Sequence, residues 1–456
     1  MRALIWSVLA IGLLVTVAEA QDLAPGSDPQ DQTNQKQDQT RQNQAPAEPK
    51  TDMPGMDMQG DMQGMDMPAT PPWMPSPHNG SGTGWQPAAA ALHSWMKPVG
   101  AWDLMAHGTV FADYNQQGGP RGEGKAESVN WLMLMEQHKL GQGSIMFREM
   151  FSGESLTAPH PGFPELFQTG ETYHGQPLVD HQHPHNVFSE LSFNYTVPIE
   201  KELSWEFYGA AAGEPALGPV AYMHRASASE LPMAPLSHHL QDSTHTSFGV
   251  ITTGIVVDRW KIEGSVFNGR EPSEKRYGIQ WAALDSWSAR LSVAPSSNWT
   301  AQYSYGRLER PEALEPGSQR RQTASVEYVR PFVRGSWATT VVWGRVHKEV
   351  DSRNLNSYLL ETTANFRSRS YAFSRMELVD KDELFPGDPL RPSFRIGAYT
   401  FGGAHDLVQS QFWQLALGAD LTFYSKASTL DSTYGNNPVS FQVFLRVRPA
   451  LSHHDH

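Results

Sequence analysis

The segment Trp413-Gln414-Leu415-Ala416-Leu417-Gly418-Ala419-Asp420-Leu421-Thr422-Phe423 changes character at every residue. Trp413, Leu415, Leu417, Ala419, Leu421 and Phe423 fall on one side of an extended chain, and Gln414, Ala416, Gly418, Asp420 and Thr422 on the other. A period of two is the signature of a strand with two unlike faces. Val439, Phe441, Val443, Leu445 and Val447 likewise oppose Ser440, Gln442, Arg446 and Arg448, and Leu203, Trp205 and Phe207 oppose Ser204, Glu206 and Tyr208. A soluble sandwich would show the same alternation, so the connections must decide.

Strands are expected at 102–114, 128–138, 143–151, 187–197, 203–212, 245–257, 260–268, 285–294, 299–308, 322–332, 336–346, 355–367, 370–378, 393–402, 411–424 and 439–448, about sixteen in all. Short turns such as Gly141-Gln142, Pro198–Glu202, Asp258-Arg259, Pro295–Asn298, Val333–Gly335 and Ser368-Arg369 alternate with long links at 152–186, 213–244, 269–284, 309–321, 379–392 and 425–438. Short turns on one rim, long loops on the other and an even strand count describe a bacterial outer-membrane barrel. Strands of near ten residues match the ~9–11 needed to cross a bilayer at a tilt. The expected fold is therefore an all-β, transmembrane antiparallel barrel over 99–448, located in the outer membrane of a Gram-negative bacterium. A secreted sandwich or solenoid is the alternative.

Composition narrows the function. Acidic residues outnumber basic ones, the net charge is −13 and cysteine is absent. That balance disfavours nucleic acid as a partner and suits cations. Thiolate metal sites, redox Cys pairs and cysteine nucleophiles are excluded outright. Arg2, the apolar run Leu4 to Val17 and Ala18-Glu19-Ala20 read as a cleaved export signal over 1–20. No later stretch approaches the ~18 apolar residues of a spanning helix, so any membrane crossing must use strands.

Residues 21–98 show no apolar periodicity and begin with a Gln-, Asp-, Asn- and Pro-rich stretch, so a disordered periplasmic arm is expected. Within it Met53, Met56, Met58, Met62, Met65 and Met67 interleave with aspartate and glycine. Thioether sulfur is soft and uncharged, which suits Cu(I) or Ag(I) rather than Zn(II). A signal peptide, a Met/Asp/Gly repeat and an outer-membrane barrel together resemble the copper-resistance B family of outer-membrane proteins. The resemblance implies periplasmic copper binding, a role in copper tolerance by sequestration or efflux, and periplasmic copper carriers as partners beside membrane lipid and the metal itself. The tract here reads Met-Asp-Met-Gln, without the Met-Asp-His repeats of that family.

The histidines form a second group. Asp180, His181, His183 and His185 close the long link before the fourth strand. His224, His238, His239 and His245 lie in or just after the next long link. Imidazole is the commonest metal ligand, and two adjacent loops folded over a barrel mouth would bring both sets together to hold Cu(II) or Zn(II). Exposed loop histidines are the alternative reading. The tail 449–456 is also His-rich.

Strand phase turns Asp103, Met105, His107 and Asp113 inward, together with Met146, Arg148 and Met150. Their first role is to fill the interior, with a lumenal Met/His cluster as the alternative. Glu190, Glu206, Lys261, Glu263, Arg290, Glu327, Glu361, Arg367, Arg395 and Asp420 are expected to face the lumen, and Trp205, Trp260, Trp299, Trp337 and Tyr358 to form aromatic girdles. The chain carries no HExxH, G-x-S-x-G, Walker or GxGxxG motif. Three functions remain: copper or soft-metal handling, a general or solute-selective porin with no metal role, and a barrel enzyme acting on lipid.

Overall fold

A computed structural model describes residues 71 and 73–451. In chain order the strands are β1 Ser94–Val99, β2 Trp102–Gln116, β3 Gly124–Leu140, β4 Gly143–Phe151, β5 Phe163–Tyr173, β6 Gln176–Gln182, β7 Phe188–Glu200, β8 Leu203–Gly213, β9 Ser247–Val257 and β10 Trp260–Phe267. They continue with β11 Ser286–Ser296, β12 Trp299–Leu308, β13 Gln319–Phe332, β14 Gly335–Lys348, β15 Arg353–Phe366, β16 Ser370–Lys381, β17 Phe394–Gln409, β18 Trp413–Ser425 and β19 Val439–Pro449.

Sixteen of these form one closed wall. Each pairs antiparallel with its sequence neighbour, β4 pairs with β7, and β19 returns to β2 with Val447 opposite Val110 and Phe441 opposite Gln116. Closure pairs the first and last wall strands, so the ladder hydrogen bonds are made within the wall rather than to water. All sixteen wall strands overlap the segments expected from alternation, although β17 runs on to Gln409 and β3 begins at Gly124.

The faces are inverted relative to a soluble protein. On β19, Leu445 is 43% exposed whereas its neighbour Arg446 is fully buried. Val439, Phe441, Val443 and Val447 point outward with Leu445, while Ser440, Gln442 and Arg448 are buried with Arg446. Apolar outside and charged inside is the pattern of a wall bathed in lipid. Trp102, Trp260, Trp299 and Trp413 each open a strand at the short-turn rim, and Trp205 and Trp337 sit two residues further in. Amphipathic indole rings at that depth form a girdle.

Three elements were not anticipated. Strand β1 overlaps the end of the segment 21–98 and pairs with the lower half of β2, Ser94 opposite His107 and Val99 opposite Trp102. It takes over the edge of β2 where β19 stops, and His93 bridges to Leu451 below it. Strands β5 and β6 form a separate hairpin inside the long link between β4 and β7. Three charges expected inside also lie elsewhere: Asp103 is exposed at the start of β2, Arg367 is exposed in the turn after β15, and Arg395 faces outward beside Tyr358 while Ile396 is buried. All three stand next to a turn or long loop, where a one-residue change of phase reverses every side chain.

Candidate functional site

The lumen is occupied by the chain itself. The link 214–246 is pinned to the wall by buried charges. Arg225 donates through Nε to Glu361 Oε1 at 2.6 Å, and Arg375 from β16 reaches the other oxygen of Glu361 at 3.1 Å. Glu230 pairs with Arg446 and with Arg448, the latter at 3.0 Å. Glu377 accepts from the Leu236 and Ser237 backbone N–H groups. The β5–β6 hairpin docks beside it, with Lys381 donating to Gln168 at 2.7 Å and Phe167 stacked on Tyr434 at 4.2 Å.

From the other side, residues 77–86 enter the lumen. Arg148 donates to the carbonyls of Gly82 and Pro77, Arg290 to the Thr83 hydroxyl, and Ser81 to Glu214. Gly82 has φ +57°, and a Cβ there would lie 2.7 Å from Cβ of Glu214. Glycine is what this close approach requires.

Between the two loops lies a histidine cluster. His183 and His185 come from the end of the first loop; His238, His239 and His245 come from the second. Neighbouring rings are 5.0–5.4 Å apart for the pairs His238–His245, His185–His245, His238–His239 and His183–His239. Each ring except His245 faces a carboxylate: Glu154 at 2.8 Å from His185 Nδ1, Asp242 at 2.7 Å from His238 Nδ1, Glu171 at 3.0 Å from His183 Nε2, and Glu271 at 3.7 Å from His239 Nδ1. Tyr222 packs against His185, His238 and His245.

The acceptors determine the tautomers. Nδ1 of His185 meets an oxygen of Glu154 and Nδ1 of His245 meets the Asp242 carbonyl at 2.8 Å, so each Nδ1 carries a proton. Both Nε2 atoms are then lone-pair acceptors, yet they face each other at 3.1 Å. Two lone pairs cannot share that space unaided. Either a proton on His185 or a metal cation must stand between them. Two imidazoles on a tetrahedral ion, at a metal–nitrogen distance of about 2.0–2.1 Å, place their nitrogens about 3.3 Å apart. His239 Nε2 is buried and has no hydrogen-bond partner.

Electrostatics keep most of these rings neutral. Burial pushes His183, His238, His239 and His245 below the ordinary imidazole range, His245 to about 3. Burial acts on His185 too, but the Glu154 carboxylate outweighs it and raises that ring. Burial works against ionised Asp242, yet His238 and Arg225 hold its carboxyl below the usual range. Neutral rings oriented by carboxylates are the state in which imidazole binds metal.

Backbone geometry makes room for the cluster. Gly170 has φ +127°, and a Cβ there would lie 2.4 Å from the His239 ring. Glu171, next in sequence, is left-handed at φ +58°, a conformation disfavoured for glutamate, and it is the residue that reaches His183 and Arg276.

Five of the histidines expected as ligands are thus brought together, and three other expected residues are not. His181 turns away to Glu123 at 3.1 Å. Asp180 is ion-paired with Arg121 at 2.7 Å and accepts the Phe167 N–H. His224 packs instead with His107 and Trp131. Met53, Met56, Met58, Met62, Met65 and Met67 lie outside the described residues, as does the tail beyond Leu451. Glu154, Glu171 and Glu271 were not singled out beforehand; isolated glutamates in long loops carry no spacing signal. Among the described residues, the one set of three carboxylate or imidazole ligand atoms mutually within 4.8 Å is Glu315, Asp382 and Glu383. Lys348 already sits in that set, 2.7–3.4 Å from all three.

No protein-family model matches this chain, and no curated protein does. Solved structures similar to it are outer-membrane proteins. The anion-selective porin of Comamonas acidovorans aligns with TM-score 0.47 and 10% identity over 76% of this chain and 99% of its own. The outer-membrane channel DcaP of Acinetobacter baumannii aligns with TM-score 0.47 and 9% identity over 78% and 100%. OmpF of Salmonella typhi, solved with daunomycin, aligns with TM-score 0.48 and 9% identity over 78% and 100%. The barrel assignment itself rests on the closed hydrogen-bond register of this chain.

Proposed function

We propose that the protein is a porin-type channel of the bacterial outer membrane whose own segments narrow the lumen. The observation that carries this reading is the sixteen-strand closed wall, apolar outside and ion-paired inside. Lipid admits strands only in such a closed form. The buried Arg225–Glu361 and Arg446–Glu230 pairs hold one long loop inside the wall, so passage is confined to small solutes or ions. Liposome swelling tests this: full-length protein should pass ions but admit sugars slowly. Rapid sugar entry through the unmodified chain would overturn it.

A second, finer reading is favoured by the facing Nε2 atoms of His185 and His245. In it the channel handles a transition metal, with Cu(II) or Zn(II) held between His185 and His245, and His183, His238 and His239 joining the shell by side-chain rotation. Four carboxylates around the rings supply the outer-sphere hydrogen bonds such ligands require. The methionine tract at 53–67 would bind Cu(I) as a separate site on the periplasmic side, as the resemblance to the copper-resistance B family implies, with periplasmic copper carriers as its donors or acceptors. Zinc titration of the full chain should show one tight site that is lost in a His185→Gln/His245→Gln variant. Equal binding by both proteins would exclude the histidine cluster.

A further inference from the structure

Besides the methionine tract, the chain has ten methionines after Met1. Six of them, Met105, Met133, Met135, Met146, Met150 and Met223, gather at one place in the lumen. The first five form a single buried cluster, 0–3% exposed, with Met223 and Trp131 packed against it. They come from three adjacent wall strands, and the register places them in rows. His107 of β2 stands opposite Met133 of β3, which stands opposite Met150 of β4. In the next row Met105 faces Met135, which faces Arg148. One row further, Gln137 faces Met146.

The adjoining apolar part of the interior is built from aromatic and branched side chains, Phe111, Val129, Leu231, Phe373 and Phe444, so a patch made almost wholly of thioethers stands apart from it. Leucine or valine would fill the volume as well and hold shape better. Two histidines complete the patch. His107 and His224 lie with ring centroids 5.7 Å apart, both against Trp131. Nε2 of each is buried and without a hydrogen-bond partner, and both residues line a cavity of about 100 Å³ together with Met223 and Trp131. An unpartnered buried imidazole nitrogen is destabilising unless something binds it.

We propose that this chamber is a binding site for a soft monovalent cation, Cu(I) or Ag(I), with the Met223 thioether and the free Nε2 atoms of His107 and His224 as ligands from its lining and a thioether sulfur of the Met105–Met150 cluster, packed directly behind Met223, completing the set. Neutral sulfur and imidazole donors select low-charge, polarisable ions over Zn(II) or Ca(II). A single positive charge also suits a place beside Arg148, whose own charge is offset by Glu190 at 3.8 Å and the Gly82 and Pro77 carbonyls. The chamber shares Glu154 and Tyr222 with the histidine cluster between the loops, but its donors are none of that cluster's imidazoles and none of the methionines at 53–67.

The test uses the full chain, folded in detergent, with all six tract methionines changed to leucine. Cu(I) is titrated under reducing conditions against a competing chelator, and the bound ion is examined by X-ray absorption. The expected result is one Cu(I) retained per chain with a sulfur-containing shell, and at least tenfold weaker binding after Met133→Leu/Met150→Leu, a near volume-conserving change. Retention of no Cu(I) by the tract variant overturns the proposal, as does a nitrogen- and oxygen-only shell. If the double variant does not fold, the sulfur shell in its parent still decides the matter.

Discussion

The Nε2 atoms of His185 and His245 face each other at 3.1 Å although both rings have already committed their Nδ1 protons, one to Glu154 and the other to the Asp242 carbonyl. The two residues are 60 positions apart and belong to different loops, so the pair also reports how those loops meet. A cation between them converts an electrostatic conflict into a bond.

Glu154 therefore matters as much as the rings it orients. It accepts from both the backbone N–H and Nδ1 of His185 at 2.8 Å. Glu154→Gln should weaken zinc binding by about 10–100-fold, the usual effect of losing an orienting carboxylate. Isothermal titration on the full chain measures this, and an unchanged affinity would remove Glu154 from the site.

Gly170→Ala places a methyl group against the His239 ring at a φ that L-residues rarely adopt. The expected cost is roughly 1–3 kcal/mol from the backbone alone. The β5–β6 hairpin should become protease-sensitive while the wall stays intact. Cleavage kinetics followed by electrophoresis of the folded barrel distinguish the two regions.

Glu361→Gln removes the shared partner of Arg225 and Arg375. Breaking one side of a buried pair typically costs about 3–5 kcal/mol, because the remaining charge is stranded. Here the loop can respond by leaving, so the loss should appear as a larger pore. Faster liposome swelling is the expected outcome; identical rates would show that the loop is held by other contacts.

Glu214, just past the end of β8, gives a pH dependence. Burial pushes its carboxyl up from 4.5 to about 8, against the opposing pull of Arg290 and the Ser81 hydroxyl. A folded-state value above the unfolded one means that its contribution is complete below pH 4.5 and is lost as pH rises through about 8. Ser81 belongs to the segment that enters the lumen, so ionisation should draw water in and loosen it. Ion flux should rise between pH of about 7 and 9, and Glu214→Gln should flatten that rise.

The wall was legible because each of its strands has one face in lipid and one in a polar lumen, which writes a period of two directly into the residues. The elements inside the wall lack that contrast. Strand β5 is buried over most of its first half, on both faces, and its register with β6 slips twice, at Pro164/Thr169 and Thr169/Thr172, so alternation is lost. Strand β1 carries Pro98 and, after Ser94, is exposed along its length. The candidate site was legible by residue type and by the adjacency of two long loops. Which histidine turns inward was not: His181 and His183 differ by two positions, yet one reaches Glu123 and the other Glu171. That choice is set by the left-handed residues Asp180 and Glu171, which no periodicity announces.

Single-channel conductance in a planar bilayer tests the central claim, a barrel narrowed by its own chain, most directly. The full-length protein should give a small conductance, and deletion of residues 73–92, which carry the contacts to Arg148, Arg290 and Glu214, should raise it several-fold. A large, steady conductance from the unmodified protein, unaltered by the deletion, would contradict the account.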